Sequence, residues 1–274
     1  MAEQTVTGLS SRDLRGIMAA IAAITAVGIS LSLGLPLLSV VLSERGVPTS
    51  WIGINTAVSG LAAILITPFV TPLAKRVGTA QLLICVILIG AVVFMAFYFV
   101  QPFWAWFPLR FVFHACLAAA FVLSEFWINA LAPPAKRGLI MGIYATVLAS
   151  GFAIGPLVLS QTGFSGPEPF LAGMTLFLLA AIPVMFAIRS SPVIDGHGRT
   201  SIWPFLLAAP MATLAAMVFG AVESGGFAIA TLYGIELGFS EAASAGLITA
   251  IALGNLFSQI PLGLLADRMN KRTL

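Results

Sequence analysis

Charged residues are scarce in this 274-residue chain, and their scarcity decides its class. Asp, Glu, Lys and Arg make up 8% of the residues, against roughly 25% in soluble domains. Hydrophobic residues make up 59%, and the mean hydropathy is +1.06. No water-soluble fold covers so much apolar surface with so few charges, so the composition excludes an ordinary soluble enzyme.

Cysteine is also rare, and Cys85 and Cys116 each lie inside an apolar stretch. Two isolated thiols exclude a disulfide framework and the paired CxxC spacing of zinc sites. We expect both to be small buried hydrophobic residues.

Sequence motifs of nucleotide and hydrolytic chemistry are missing as well. The chain has no G-x-x-x-x-G-K-[ST] phosphate loop, no H-E-x-x-H pair and no G-x-S-x-G elbow. ATP-driven transport within this chain, an enzymatic activity, a cofactor and a metal site are therefore not predicted. The net charge of +3 does not call for nucleic acid, because the loop charges described below account for it.

Long uncharged runs are abundant. A spanning helix needs about 20 apolar residues, and the runs between Pro, Gly, charged and aromatic residues predict eight such helices. They cover residues 17–42, 51–73, 79–100, 104–131, 138–160, 170–189, 205–230 and 242–266. The first run is too long for a signal-peptide core, so we interpret it as a retained helix. Trp104, Trp106 and Phe107 predict an aromatic belt at the membrane interface.

Positive charges predict the orientation, because Lys and Arg accumulate in cytoplasmic loops. Eleven of the 13 cations lie before the first predicted span or after an even-numbered one. These are Arg12, Arg15, Lys75, Arg76, Lys136, Arg137, Arg189, Arg199, Arg268, Lys271 and Arg272. The asymmetry predicts a multi-pass protein of the cytoplasmic (inner) membrane with both termini in the cytoplasm.

An internal repeat relates spans seven and eight to spans one and two. Glu44-Arg45-Gly46-Val47 and Glu236-Leu237-Gly238-Phe239 lie 192 residues apart, and Leu73-Ala74-Lys75-Arg76 and Leu265-Ala266-Asp267-Arg268 have the same offset. Such repeats are typical of transporters. The sequence thus predicts a six-helix half over residues 1–188, a cytoplasmic linker over 189–204 and the start of a second half over 205–274.

Three motifs resemble those of the major facilitator superfamily. The segment from Gly263 to Arg272, GLLADRMNKR, is similar to the superfamily's cytoplasmic loop motif, G-x-L-a-D-r-x-G-r-k, with Asn270 in place of the second glycine. In its first-half counterpart, Lys75 stands where the aspartate belongs. Gly151-x-x-x-Gly155-Pro156 resembles a motif seen mainly in exporters, and Arg110 resembles the fourth-helix arginine of proton-coupled members.

The resemblance covers essentially the whole chain and implies an all-α membrane protein. The expected fold is a major-facilitator-like helical bundle with one complete six-helix half and the first two helices of the second half. Superfamily members have twelve helices around a central cavity, so this chain stops after about eight. Residues expected to control the conformational change are Gly151, Gly155, Pro156, Gly263, Asp267, Arg268, Lys271 and Arg272.

Ionisable groups inside the spans are the candidates for transport and proton coupling, because charge within a membrane is costly. They are Arg110, His114 and Glu125 in span four and Glu223 in span seven. At about 100° per residue the three residues of span four share one helical face. A carboxylate would bind and release a proton while Arg110 tunes it or holds an anionic substrate group. Alternatively, Glu125 pairs with a loop cation, Glu223 marks the outer boundary, and His114 makes an interhelical hydrogen bond.

Other polar residues in the spans are candidates for lining a cavity. They are Asn55, Tyr144, Asn255 and Gln259, with interhelical hydrogen bonding as the alternative role. The Gly225-Gly226 pair predicts a point at which helix seven unwinds or bends.

The leading functional hypothesis is proton-coupled export of small organic molecules by alternating access. Its partners are membrane lipid, protons and the small-molecule substrate, and no oligomer is required. One alternative is a metabolite or sugar uptake permease. Another, from a different class, is a non-transporting membrane sensor or truncated remnant.

Overall fold

The computed structural model describes residues 10–133, 137–192, 194 and 210–268, and within this part every regular element is a helix. The long helices are α1 Ser11–Glu44, α2 Thr49–Val77, α3 Thr79–Phe99, α4 Trp106–Leu131, α5 Arg137–Thr162, α6 Glu168–Phe186, α7 Pro210–Glu236 and α8 Glu241–Arg268. Short 3₁₀ turns cover Phe103–Ala105 and Ile188–Ser190. Seven of the described helices are long and apolar enough to cross a membrane.

The eight helices agree with the eight predicted spans, and the all-α membrane fold is confirmed. The clearest differences are at the start of α1, which begins at Ser11 rather than near residue 17, and at the end of α7, which continues to Glu236 rather than stopping near residue 230. Residues 205–209, predicted as the start of that span, lie outside the described residues, and so does most of the predicted linker.

The internal repeat extends to the backbone geometry at the ends of α1 and α7. Gly46 has a φ of 77° and Gly238 a φ of 84°, the left-handed conformation that glycine adopts without strain. The amide of Val47 donates to the Leu42 carbonyl, and the amide of Phe239 donates to the Gly234 carbonyl. Both helices therefore end in the same hydrogen-bonded turn, 192 residues apart in the sequence.

Helix α1 lies at the centre of the described bundle. It packs against α4, α5 and α6 within the first six helices, and against α7 beyond them. Helix α2 packs on α4, α3 packs on α4 and α6, and α5 packs on α8. One large apolar core joins the first six helices, and a smaller cluster of Leu35, Phe227 and Ile248 connects α1 with α7 and α8.

Three local expectations are wrong. Trp104 is exposed as an interfacial residue should be, but Trp106 is fully buried, with its indole donating to the Val100 carbonyl at 2.9 Å and the Arg45 guanidinium 4.8 Å from its ring centre. Cys85 is exposed, whereas Cys116 is buried as predicted. Helix α7 does not unwind at Gly225-Gly226, because the helix runs unbroken from Pro210 to Glu236, while a bend at this pair stays a prediction.

Candidate functional site

Helices α1 and α5 pack closely at the centre of the bundle. A Cβ atom on Gly151 would lie 3.1 Å from the Thr25 carbonyl oxygen and 3.2 Å from the Gly28 Cα. A Cβ on Gly155 would lie 2.6 Å from the Leu33 amide nitrogen. Only glycine allows two helix backbones to approach so closely, so the exporter-like motif is the contact surface of α5 on α1.

A hydrogen bond and a proline complete this contact. The Ser32 hydroxyl is fully buried and lies 3.2 Å from the carbonyl oxygens of both Gly151 and Ile29. Pro156 lies inside α5 and has no N–H to donate to the preceding turn. The Ser32 hydroxyl thus holds α1 and α5 together at Gly151. One turn further on, Pro156 removes a backbone hydrogen bond of α5, which allows that helix to bend.

We predict that Gly155→Ala destabilises the protein by about 1–3 kcal/mol, because the added methyl meets the α1 backbone. Gly142→Ala is the matched control, since no atom lies within 4 Å of a Cβ at that position of the same helix. Thermal unfolding in detergent should show a Tm several degrees lower for Gly155→Ala, and a Tm equal to or slightly above wild type for Gly142→Ala. Equal Tm values for the two variants would contradict the close approach of α1 and α5.

The largest described cavity lies where the first six helices meet α7 and α8. It has a volume of about 640 Å³ and is lined by α1, α4, α5, α7 and α8. Its wall is mostly apolar and includes Phe121, Phe152, Phe219 and Phe227. Glu223 contributes the acidic group among the described lining residues, and its side chain is half-buried.

An aromatic stack forms the wall of this cavity between α5 and α7. The rings of Phe152 and Phe227 are 5.3 Å apart at an angle of 18°. Phe227 is buried, and the Gly226 before it leaves room beside the stack. Gly226 thus lines the same cavity as Glu223, in a helix that is unbroken at this point.

Arg110 and His114 lie inside the bundle, as their predicted face requires. Arg110 is completely buried and His114 is 5% exposed. The Nδ1 of His114 donates to the Arg110 carbonyl oxygen at 3.0 Å. Within the described part of the chain, the Nε, Nη1 and Nη2 atoms of Arg110 have no hydrogen-bond partner.

A second cavity of about 330 Å³ lies between α1, α2 and α4. His114 and Phe121 of α4 line it, together with Ser59 and Thr67 of α2. Asn55, predicted as a cavity residue, is fully buried on α2 one turn before Ser59. Neither polar atom of the Asn55 side chain has a hydrogen-bond partner among the described residues.

The remaining candidates in the first half lie nearer the other end of α4. Glu125 is exposed, unlike Arg110 and His114, so the three residues predicted to share a face differ in burial. Tyr144 is buried, and its hydroxyl lies 3.0 Å from that of Ser124. This bond links α4 to α5, the interhelical role that the sequence left as an alternative.

The candidates on α8 are described only in part. Asn255, Gln259, Gly263, Asp267 and Arg268 lie on the helical backbone, and their side chains lie outside the described residues. Lys271 and Arg272 lie outside them altogether.

Sequence reasoning found Asn55 but missed the neighbouring hydroxyls of α2, and it missed the aromatic wall of the large cavity. Thr56 and Ser59 are polar residues of α2 whose hydroxyls have no partner among the described residues. The signal was present, since Asn55 and Ser59 are one turn apart and so share one face of a helix. The phenylalanines gave no such signal, because the chain has 20 of them.

Comparison with known proteins assigns the family. The sequence profile of the Major Facilitator Superfamily matches residues 17–274. The chain belongs to the Major Facilitator Superfamily. This is a family of membrane transporters rather than enzymes. The profile match confirms the superfamily that the loop motif and the repeat predicted.

A curated superfamily relative gives a measure of length. The uncharacterized MFS-type transporter YfkF of Bacillus subtilis is 24% identical over 256 residues. The aligned region covers 90% of this chain and 65% of the relative. The chain therefore spans less than two thirds of that superfamily member.

Proposed function

We propose that the protein is a secondary active transporter of the cytoplasmic membrane that exports small amphipathic organic molecules in exchange for protons. The cavity of about 640 Å³ carries this proposal. Sites for organic ligands are typically apolar clefts of about 300–1,000 Å³ with a few polar groups. An aromatic wall with one half-buried carboxylate suits a molecule that has an apolar body and a polar end.

The place of the cavity supports alternating access. Its walls come from the six-helix half, residues 1–188, and from the two helices that begin the second half, residues 205–274. The glycine contact of α1 with α5 and the proline of α5 border the same region. In the proposed cycle the two halves rock about this cavity, joined by the cytoplasmic linker 189–204, with both termini in the cytoplasm.

Proton coupling is assigned to Glu223, with Arg110 and His114 in support. A carboxylate in a poorly hydrated cavity exchanges protons with solvent and changes charge as it does so. Substrate and proton would then compete for the same site in the cavity wall. Such competition is the simplest basis for the exchange of substrate for protons. Glu125 is assigned to the cytoplasmic end of the pathway, and the α8 residues Asn255 and Gln259 remain candidates for lining the cavity.

Uptake of a sugar is disfavoured by the lining. Hydroxyl-rich substrates need many hydrogen-bonding side chains, since each unpaired polar group costs free energy on transfer from water. The described wall of the large cavity is instead dominated by Phe, Leu, Ala and Val. Export of an amphipathic molecule requires fewer polar partners.

The test is transport in everted membrane vesicles that contain the intact protein. A panel of amphipathic dyes should accumulate inside when the vesicle interior is acidified, and an uncoupler should abolish the accumulation. Vesicles without the protein are the control, and radiolabelled sugars test the uptake alternative. Dye movement that ignores the pH gradient, or sugar movement driven by it, would refute the proposal.

A further inference from the structure

Arg110 carries a permanent charge that the described structure leaves uncompensated. The residue is completely buried, and its three guanidinium nitrogens form no hydrogen bond within the described part of the chain. An isolated buried charge costs several kcal/mol even after local relaxation. A folded protein retains such a group only when something neutralises it.

The acids inside the described spans do not fill this role. Glu125 is 15 residues further along α4, about 22 Å at 1.5 Å per residue, and it is exposed. Glu223 lines the large cavity with the α5 and α7 phenylalanines, and the smaller cavity beside His114 has no acidic lining residue among those described. The counter-charge of Arg110 therefore comes from a group other than these two carboxylates.

The packing of α2 on α4 places four further polar atoms at the level of this charge. Both helices start at the same end of the bundle, because Trp51 of α2 contacts Trp104 at a ring distance of 5.2 Å. Further along, Ser59 and His114 line one cavity. Asn55 lies one turn before Ser59 and Arg110 one turn before His114, so the two residues lie at the same level of the facing helices.

The polar atoms at this level have no partner among the described residues, and all except the Asn55 Oδ1, which accepts, can donate a hydrogen bond. Asn55 is fully buried with both amide atoms unpartnered, and the hydroxyls of Thr56 and Ser59 also have no partner among the described residues. The Arg110 guanidinium offers five N–H donors and no acceptor, and the amide and the hydroxyls add further donors. A group of buried donors with a net positive charge is complementary to an anion.

We propose that Arg110, Asn55, Thr56 and Ser59 form a binding site for a small monovalent anion, of the size of chloride or formate, between α2 and α4. The anion enters through the cavity of about 330 Å³ that Ser59, Thr67 and His114 line. It neutralises the guanidinium and locks α2 against α4. This site is separate from the large cavity, and it stands whether or not the protein exports organic molecules.

The experiment measures the Tm of the purified intact protein in detergent while chloride or formate replaces gluconate at constant ionic strength. Gluconate is much larger than chloride or formate and serves as the reference anion that is not expected to bind. The wild type should gain about 3 °C or more, with saturation, because an anion that binds only the folded state stabilises it. Arg110→Met should show no such gain, since it removes the charge.

Asn55→Asp keeps the test decisive if Arg110→Met does not fold. The aspartate places a carboxylate beside Arg110, so this variant should have a raised Tm in gluconate and no further response to chloride or formate. Asn129→Asp, which adds the same charge at a partly exposed position of α4, is the matched control and should respond like the wild type. An equal Tm of the wild type in gluconate, chloride and formate would overturn the proposal. A full chloride response in Arg110→Met or in Asn55→Asp would also overturn the proposal.

Discussion

Replacement of Arg110 by alanine should abolish proton-linked transport, while replacement by lysine should leave at most a small part of it. The side chain is completely buried one turn after the start of α4. Its guanidinium keeps its proton and presents five donors in a planar fork. Lysine keeps the charge but loses the fork, so the pair of variants separates charge from geometry.

Both Arg110 variants should insert into the membrane at wild-type abundance, because neither leaves a buried carboxylate without its partner. The measurement is dye accumulation in acidified everted vesicles, normalised to the amount of protein. Arg12→Ala removes a cation at the exposed start of α1 and should retain transport. Near-normal transport by Arg110→Ala would remove Arg110 from the mechanism and leave its resemblance to the fourth-helix arginine without function.

Glu223→Gln should reduce transport driven by a pH gradient by about tenfold or more, which corresponds to at least about 1.4 kcal/mol in the coupled step. Glutamine keeps the size and one polar end but cannot release a proton. Because the side chain is the described acidic group in the wall of the large cavity, no neighbouring carboxylate there replaces it. Exchange of labelled for unlabelled substrate needs no net proton movement and should be largely retained.

The comparison of driven transport with exchange shows whether Glu223 binds the proton or the substrate. Glu236→Gln, at the exposed C-terminal end of the same helix, is the matched control and should keep both activities. Loss of exchange together with driven transport would show that Glu223 binds the substrate rather than the proton. Retention of driven transport would exclude Glu223 from coupling.

The sequence by itself determined the membrane class, the helices and the family. Each of these rests on local information, since an apolar run of about 20 residues spans a bilayer whatever its neighbours are. Gly46 and Gly238 were found as parts of a repeat, and the same left-handed turn follows each of the two helices because the turn depends on a few adjacent residues.

The candidate site was predictable only residue by residue. Costly charges in the spans marked Arg110, His114 and Glu223, and the small-residue motif marked Gly151 and Gly155, because each is unusual where it stands. The periodicity of α4 also placed Arg110 and His114 inside the bundle, while the exposure of Glu125 further along the same helix did not follow from it. Burial depends on which neighbouring helix covers each turn, and the sequence of one helix does not specify its neighbours.

Only the tertiary structure decided the contacts between helices. It turned Trp106 from an interfacial residue into a buried one, joined Tyr144 to Ser124, and selected four of 20 phenylalanines as the wall of a cavity. It also brought the polar face of α2 to the level of Arg110. The physical reason is that apolar residues face both lipid and protein in a membrane, so hydrophobicity alone does not distinguish a packed face from a lipid-facing one. Packing between distant segments decides which apolar faces contact protein and which contact lipid.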